Sequence, residues 1–245
     1  MNSFRALIFD VYQTLLNVNR RGGDGEQEWR KLHEEFFGVP PEMTLDHLTE
    51  RCGHLVSDDH AHAHGFGIPH PEVVWEEIMR GALPQFADLP PARGEEFLYR
   101  HIQLLRDLHL APECARVLAF CRERGIPLGI VSNAQPYTLR ELGEGLAGVG
   151  LSPDVFEKDL CIWSFENGFS KPDPHVFRML AFRLRRRGIR PEETLIVGDR
   201  LDNDIEPARA QGFQTWWLNE SEEGGWEALW RTRFAPAAAG SSAEA

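Results

Sequence analysis

The chain is short of positive charge, of cysteine and of long apolar runs, and each shortage removes a class of function. Its 26 lysines and arginines face 38 aspartates and glutamates, a formal net charge of −12. A surface of that sign repels nucleic acid and anionic membranes, so neither is expected as a partner. A small charged substrate remains compatible where a local site reverses the field. The four cysteines, Cys52, Cys114, Cys121 and Cys161, form no CxxC pair and no regular framework, and are expected to be reduced and mostly buried. No stretch reaches the ~20 apolar residues that a membrane span needs, and the opening MNSFRALIFD runs into a strand instead of a signal peptide. A cytoplasmic protein is expected, as a monomer or homodimer. The C-terminal APAAAGSSAEA lacks bulky apolar residues, and 233–245 are expected to form a disordered tail.

What is present is a rhythm. Short apolar runs, ALIFDVY, PLGIVSN, CIWSF, TLIVGD and QTWWLN, read as buried parallel strands. Between the later ones lie helical stretches such as PECARVLAFCRERG and PHVFRMLAFRLRRRG, each closed by a glycine. The alternation predicts an α/β fold, a Rossmann-like parallel sheet core over 1–16 and 112–232, with active residues at the carboxyl ends of the strands. Residues 17–111 have another texture, amphipathic helical patterns such as EQEWRKLHEEFFG and GEEFLYRHIQLLRDL. They predict an inserted all-helical cap domain, joined to the core by two short crossings as a movable lid requires.

Four strand ends present polar groups: Asp10 with Thr14, Ser132 with Asn133, Lys171, and Gly198 with Asp199, Asp202 and Asp204. Taken singly each has an ordinary structural role. Ser132 and Asn133 suit a helix cap, Lys171 a solvated loop, and Asp204 a helix N-terminus. Taken together they describe a site. Asp10 and Asp199 brought into one crevice crowd carboxylates, which demands a cation, and oxygen-only ligation suits Mg2+. Lys171 would offset negative charge opposite the metal, while Ser132, Asn133 and backbone N–H groups would hold phosphoryl oxygens. Asp10 is then placed to attack phosphorus and form an aspartyl phosphate.

FDVYQT, IVSN, KPDPHVF and VGDRLDND, in this order, resemble the four motifs of the haloacid dehalogenase-like (HAD) hydrolase superfamily. The resemblance implies a Rossmann-like core with a helical cap after the first motif, and Asp10 as nucleophile. It implies Thr14 or Ser132 and Lys171 as phosphate-binding or charge-stabilising groups. Asp199 and the backbone carbonyl of Tyr12 become metal ligands, and Asp204 ligates through water or orients Asp199. The implied activity is a Mg2+-dependent phosphatase acting on a small phosphorylated metabolite. One departure is plain: in the family's phosphatases a second aspartate, the proton donor, stands where this chain has Tyr12. A tyrosine, with an ordinary pKa near 10, is a poor base at neutral pH.

Tyrosine at that place resembles the L-2-haloacid dehalogenase branch, a second reading in which Asp10 attacks carbon. Against it, Gln13 replaces that branch's glycine, Phe177 stands where it has tyrosine, Asp199 where it has serine and Leu201 where it has asparagine. A catalytically weak ligand-binding protein on the same fold is the third reading. In the cap, DDHAHAHGFGIPHP carries His60, His62, His64 and His70, read as a mobile polar loop, with a transition-metal site or a replacement proton donor as the functional alternatives. Arg30 and Arg51 receive no role, and Trp163, Trp216 and Trp217 are read as packing.

Overall fold

The computed structural model of the protein describes residues 4–104, 106–219 and 221–235. In chain order it runs β1 (Ala6–Phe9), β2 (Leu16–Arg20), α1 (Gly25–Phe37), α2 (Leu45–Gly65), α3 (Trp75–Ala82), α4 (Pro91–Ile102), β3 (Arg106–Leu110), α5 (Pro112–Glu123), β4 (Leu128–Ser132) and α6 (Tyr137–Ala147). There follow β5 (Cys161–Trp163), α7 (Ser164–Asn167), α8 (Pro174–Arg186), β6 (Thr194–Gly198), α9 (Glu206–Ala210), β7 (Gln214–Trp217) and α10 (Trp226–Leu229).

Five strands form a parallel sheet in the order β5-β4-β1-β6-β7. All four residues of β1 are fully buried, because the central strand is covered on both faces. The pleat sends Leu7 and Phe9 into one apolar layer with Val117, Leu118 and Leu142, and Ala6 and Ile8 into the other with Phe177, Leu180 and Ala208. Phe177 is therefore core. This is the α/β fold with helices on both faces that the alternation predicted, and it delivers four chain segments to one edge of the sheet.

The inserted segment has its own apolar centre, in which Trp29, Leu48, Met79 and Phe97 are buried to 0 % exposure. It is not all-helical, which corrects the expectation for the cap. Its entry and exit pair as an antiparallel ribbon, β2 with β3, in register from Leu16 opposite Leu110 to Arg20 opposite Arg106. Two crossings lying side by side would otherwise leave backbone groups unpaired, and the ladder satisfies them. A second correction concerns the histidine-rich stretch. It is no loop up to Gly65, since α2 continues through it, with His60 half-buried and His62 and His64 exposed.

A third correction concerns the C-terminus. Phe234 is 5 % exposed and packs edge-on to Phe4 and Phe120, so the core extends past the expected start of the tail at 233. The remaining tail residues, 236–245, lie outside the described residues. Cys52, Cys114 and Cys121 are buried free thiols and Cys161 is half-buried. Burial pushes the Cys52 thiol up to about 11 and those of Cys121 and Cys161 to about 12, so they are poor nucleophiles. Among the described residues no helix is long and apolar enough to cross a membrane.

Candidate active site

Asp10 extends β1 by one residue, its N–H donating to the Val197 carbonyl at 3.0 Å, and it emerges at the carboxyl edge of the sheet. Lys171 reaches it from the loop before α8. The Lys171 ammonium, 4 % exposed, donates to Asp10 Oδ1 at 2.6 Å, to Asp204 Oδ1 at 2.5 Å and to the Val131 carbonyl at 2.8 Å. Asp204 is buried too, and its Oδ2 accepts the Arg200 N–H at 3.0 Å. Carboxylate oxygens of Asp10, Asp199 and Asp204 lie within 4.8 Å of one another. Asp202, by contrast, is exposed and paired with Arg200 at the surface.

Gly198 makes this approach feasible. A Cβ there would lie 2.5 Å from Asp204 Cβ and 2.6 Å from its Oδ2, so any side chain would push the carboxylate out of the site. Trp217, read as packing from the sequence, donates its indole N–H to the Asp199 carbonyl at 2.8 Å and braces the same loop.

Three carboxylates around one ammonium leave an excess of negative charge. Burial pushes the Asp10 carboxyl up to about 6, with Asp204 and Asp199 adding to the effect and Lys171 opposing it. Asp199 is raised by burial and then by Asp204. Lys171 is disfavoured as a cation by burial, but Asp10 and Asp204 outweigh that and raise its pKa. A divalent cation with oxygen ligands fits such a cluster, because it supplies the missing positive charge. Among the described residues no hydrogen-bond donor engages the Tyr12 carbonyl, which leaves that oxygen free as a further ligand.

The hydroxyls expected to hold substrate are near at hand in the chain. Thr14 is fully buried and its Oγ1 has no hydrogen-bond partner among the described residues. Ser132 Oγ makes only a 3.4 Å contact with the Asn133 carbonyl. Asn133 is used differently from the expectation. Its side chain clamps the backbone of Lys171, donating to the carbonyl at 2.9 Å and accepting from the N–H at 2.7 Å.

Tyr12 turns to α6. Its hydroxyl donates to Glu141 Oε2 at 2.5 Å and shares a 2.7 Å hydrogen bond with Thr138 Oγ1. Glu141, with 1 % side-chain exposure, also accepts from Gln103 Nε2 at 2.5 Å and from Arg106 Nη2 at 3.3 Å. Burial and then the Glu141 charge push the Tyr12 hydroxyl far above its ordinary range. It is a structural donor here. Beside it Gln13 adopts φ 57°, a left-handed conformation that costs a non-glycine residue about 1–2 kcal/mol. The side-chain amide offsets part of that cost by pairing with Val18, donating to its carbonyl at 3.0 Å and accepting its N–H at 3.4 Å. Gln13 thus ties the loop after β1 to the ribbon.

The cap histidines His60, His62 and His64 hydrogen-bond to no core residue among those described, and His64 Nε2 pairs with the Pro69 carbonyl. Arg51 bonds the Gly81 carbonyl within the cap. What sequence reading missed is a seam where the cap meets the loops of the second and third motifs. Glu72, Gln135 and Ser170 meet there, three residues with no motif to mark them.

A buried acid at the end of the first strand, a lysine from the loop before α8 and acids after a later strand converge at one edge of the sheet, and known proteins share the arrangement of the chain. A family model described as haloacid dehalogenase-like hydrolase matches residues 4–212, and the chain belongs to that family. A glyceraldehyde 3-phosphate phosphatase from Methanopyrus kandleri is 32 % identical over 213 residues, 86 % of this chain and 82 % of that protein. A phosphoserine phosphatase from Thermus thermophilus is 35 % identical over 144 residues, 59 % of this chain, and the match spans 54 % of that protein's own length. A HAD family enzyme from Bacteroides thetaiotaomicron shares the fold with a TM-score of 0.60 at 18 % identity, covering 94 % of this chain and 99 % of that one.

Proposed function

We propose that this hydrolase is a Mg2+-dependent phosphatase that releases phosphate from a small phosphorylated metabolite through an aspartyl phosphate on Asp10. The observation that carries the reading is the convergence of Asp10, Asp199 and Asp204 around Lys171. The names of the relatives, which are phosphatases of small phosphorylated metabolites, support it. The same acids disfavour the dehalogenase reading, because a 2-haloacid's carboxylate would be brought against them.

Asp10, Asp199 and the Tyr12 carbonyl would hold the metal, with Asp204 reaching it through water. Bound there, Mg2+ would neutralise the acids and orient the phosphoryl group. Lys171 keeps Asp10 ionised and aimed, while Asn133 fixes the loop that carries the lysine. Asp10 Oδ attacks phosphorus in line with the ester oxygen. In this reading Thr14 Oγ1, Ser132 Oγ and the backbone N–H groups beside Asn133 receive the equatorial oxygens.

The test is a panel of phosphate monoesters assayed with Mg2+ and with chelator, on wild type and Asp10→Asn. Mg2+-dependent release, lost in the variant, is expected. Halide release from 2-haloacids that ignores the chelator would replace this reading by the dehalogenase one.

A further inference from the structure

Transfer of the phosphoryl group to Asp10 leaves an alkoxide that needs a proton, and Tyr12 is committed elsewhere. The cap meets the catalytic rim through the segment between α2 and α3. Glu72 N–H donates to the Gly168 carbonyl at 3.1 Å, Ser170 N–H to the His70 carbonyl at 2.9 Å, and Pro71 bridges Phe169 as a single antiparallel pair. The Glu72 side chain turns onto the core. Its Oε1 accepts from Gln135 Nε2 at 2.9 Å and from the Val73 N–H at 3.0 Å, and its Oε2 accepts from Ser170 Oγ at 3.1 Å.

Those partners locate it. Ser170 is the residue before Lys171, whose ammonium holds Asp10, and Gln135 lies two residues beyond Asn133, whose side chain closes on the Lys171 backbone. Glu72 is thus a cap carboxyl seated on both loops that frame the phosphoryl site. Gln135 and Val73 also line a cavity of about 370 Å³ whose wall carries Trp75, Tyr137 and Phe165 together with the charged Glu95, Glu96 and Arg140.

We propose that Glu72 is the general acid and base of the reaction, carried by the cap in place of the group that Tyr12 cannot supply. This rests on the phosphatase reading. Asp10 Oδ bonds to phosphorus, the P–O bond to the leaving group breaks with its electron pair on oxygen, and that oxygen takes the Glu72 proton. In the second half the Glu72 carboxylate takes a proton from water as the water oxygen bonds to phosphorus. The bond to Asp10 breaks with its pair on the carboxylate, and inorganic phosphate leaves with Glu72 protonated again.

The test measures p-nitrophenyl, phenyl and benzyl phosphate, with Mg2+, on wild type, Glu72→Gln, Glu72→Asp, Ser170→Ala and His70→Asn. The Glu72→Gln deficit is expected to widen with the basicity of the leaving oxygen, from about tenfold for p-nitrophenyl phosphate to a hundredfold or more for benzyl phosphate. The same variant should release a burst of p-nitrophenol equal to the enzyme as aspartyl phosphate accumulates. Glu72→Asp, which keeps a carboxyl, should keep the wild-type leaving-group dependence. Ser170→Ala, which loosens the seam only, should raise KM without altering that dependence. An equal loss on all three esters in Glu72→Gln, without a burst, overturns the inference and leaves the phosphatase reading intact. So does a leaving-group-dependent loss in His70→Asn with none in Glu72→Gln. Wild-type silence on all three sinks the phosphatase reading, and the inference falls with it.

Discussion

Two buried acid networks flank the loop after β1, and they are built to opposite ends. Around Lys171, the acids Asp10, Asp199 and Asp204 outnumber the one cation, and the Asp10 carboxyl is pushed up to about 6. Around Glu141, one acid meets the Tyr12 hydroxyl, the Gln103 amide and the Arg106 guanidinium, so its oxygens are fully engaged. The first network is electrostatically incomplete, with more acids than cations. The second is complete, and it joins three parts of the chain: the loop after β1, α6, and the return path from the end of α4 into β3. In this pair the incomplete network lies at the candidate site and the satisfied one forms a joint.

The comparison breaks most visibly at Lys171. Lys171→Met should leave Asp10 and Asp204 buried without their cation and cost about 3–5 kcal/mol, measured by chemical denaturation in chelator. Millimolar Mg2+ should restore part of that loss, because it neutralises the same carboxylates. No Mg2+ effect on the variant would refute the cation site.

The cap's own stability should titrate next. Burial, and secondly the Arg106 charge, hold His101 down at about 4, and neither ring nitrogen has a partner among the described residues. The folded protein thus keeps His101 neutral where the unfolded chain, at about 6.5, takes up a proton. The stability it contributes is complete above pH 6.5 and declines as pH falls towards 4, by about 3 kcal/mol in all. His101→Phe should flatten that slope in denaturation curves taken between pH 7 and 4.

Smaller again is Glu141→Gln, expected to cost about 1–3 kcal/mol through the impaired partners of Tyr12 and Arg106. Mg2+ should not recover it, in contrast to Lys171→Met. Least affected should be Tyr12→Phe, about 1 kcal/mol in stability and less than about tenfold in kcat, since the ring and the backbone carbonyl stay. A loss in Tyr12→Phe that grows with leaving-group basicity would make the hydroxyl the proton donor and reverse its assignment as a structural group.

Much of this was legible in the chain. Strand ends are read from apolar runs followed by polar groups, so Asp10, Ser132, Lys171, Asp199 and Asp204 were visible before any coordinates, as was the parallel sheet. The ribbon of β2 and β3 was not. LNVNR and RDLHL carry the period-two alternation of strands, but each is five residues long, and their pairing partner lies about ninety positions away. The helical course of the histidine stretch was missed because small and polar residues carry no apolar stripe. Phe234 escaped because it borders a segment whose composition suggests no core.

The sequence by itself determined which residues line the carboxyl edge of the sheet, since hydrophobic periodicity dictates where each strand stops. Tertiary structure alone decided which of those residues are free to react. Tyr12 is spent on α6, Asn133 on the lysine backbone, and Glu72 is brought from the cap onto both loops beside the site. The physical reason is that a side chain's availability depends on its hydrogen-bond partners and burial, and those come from segments far away in the chain.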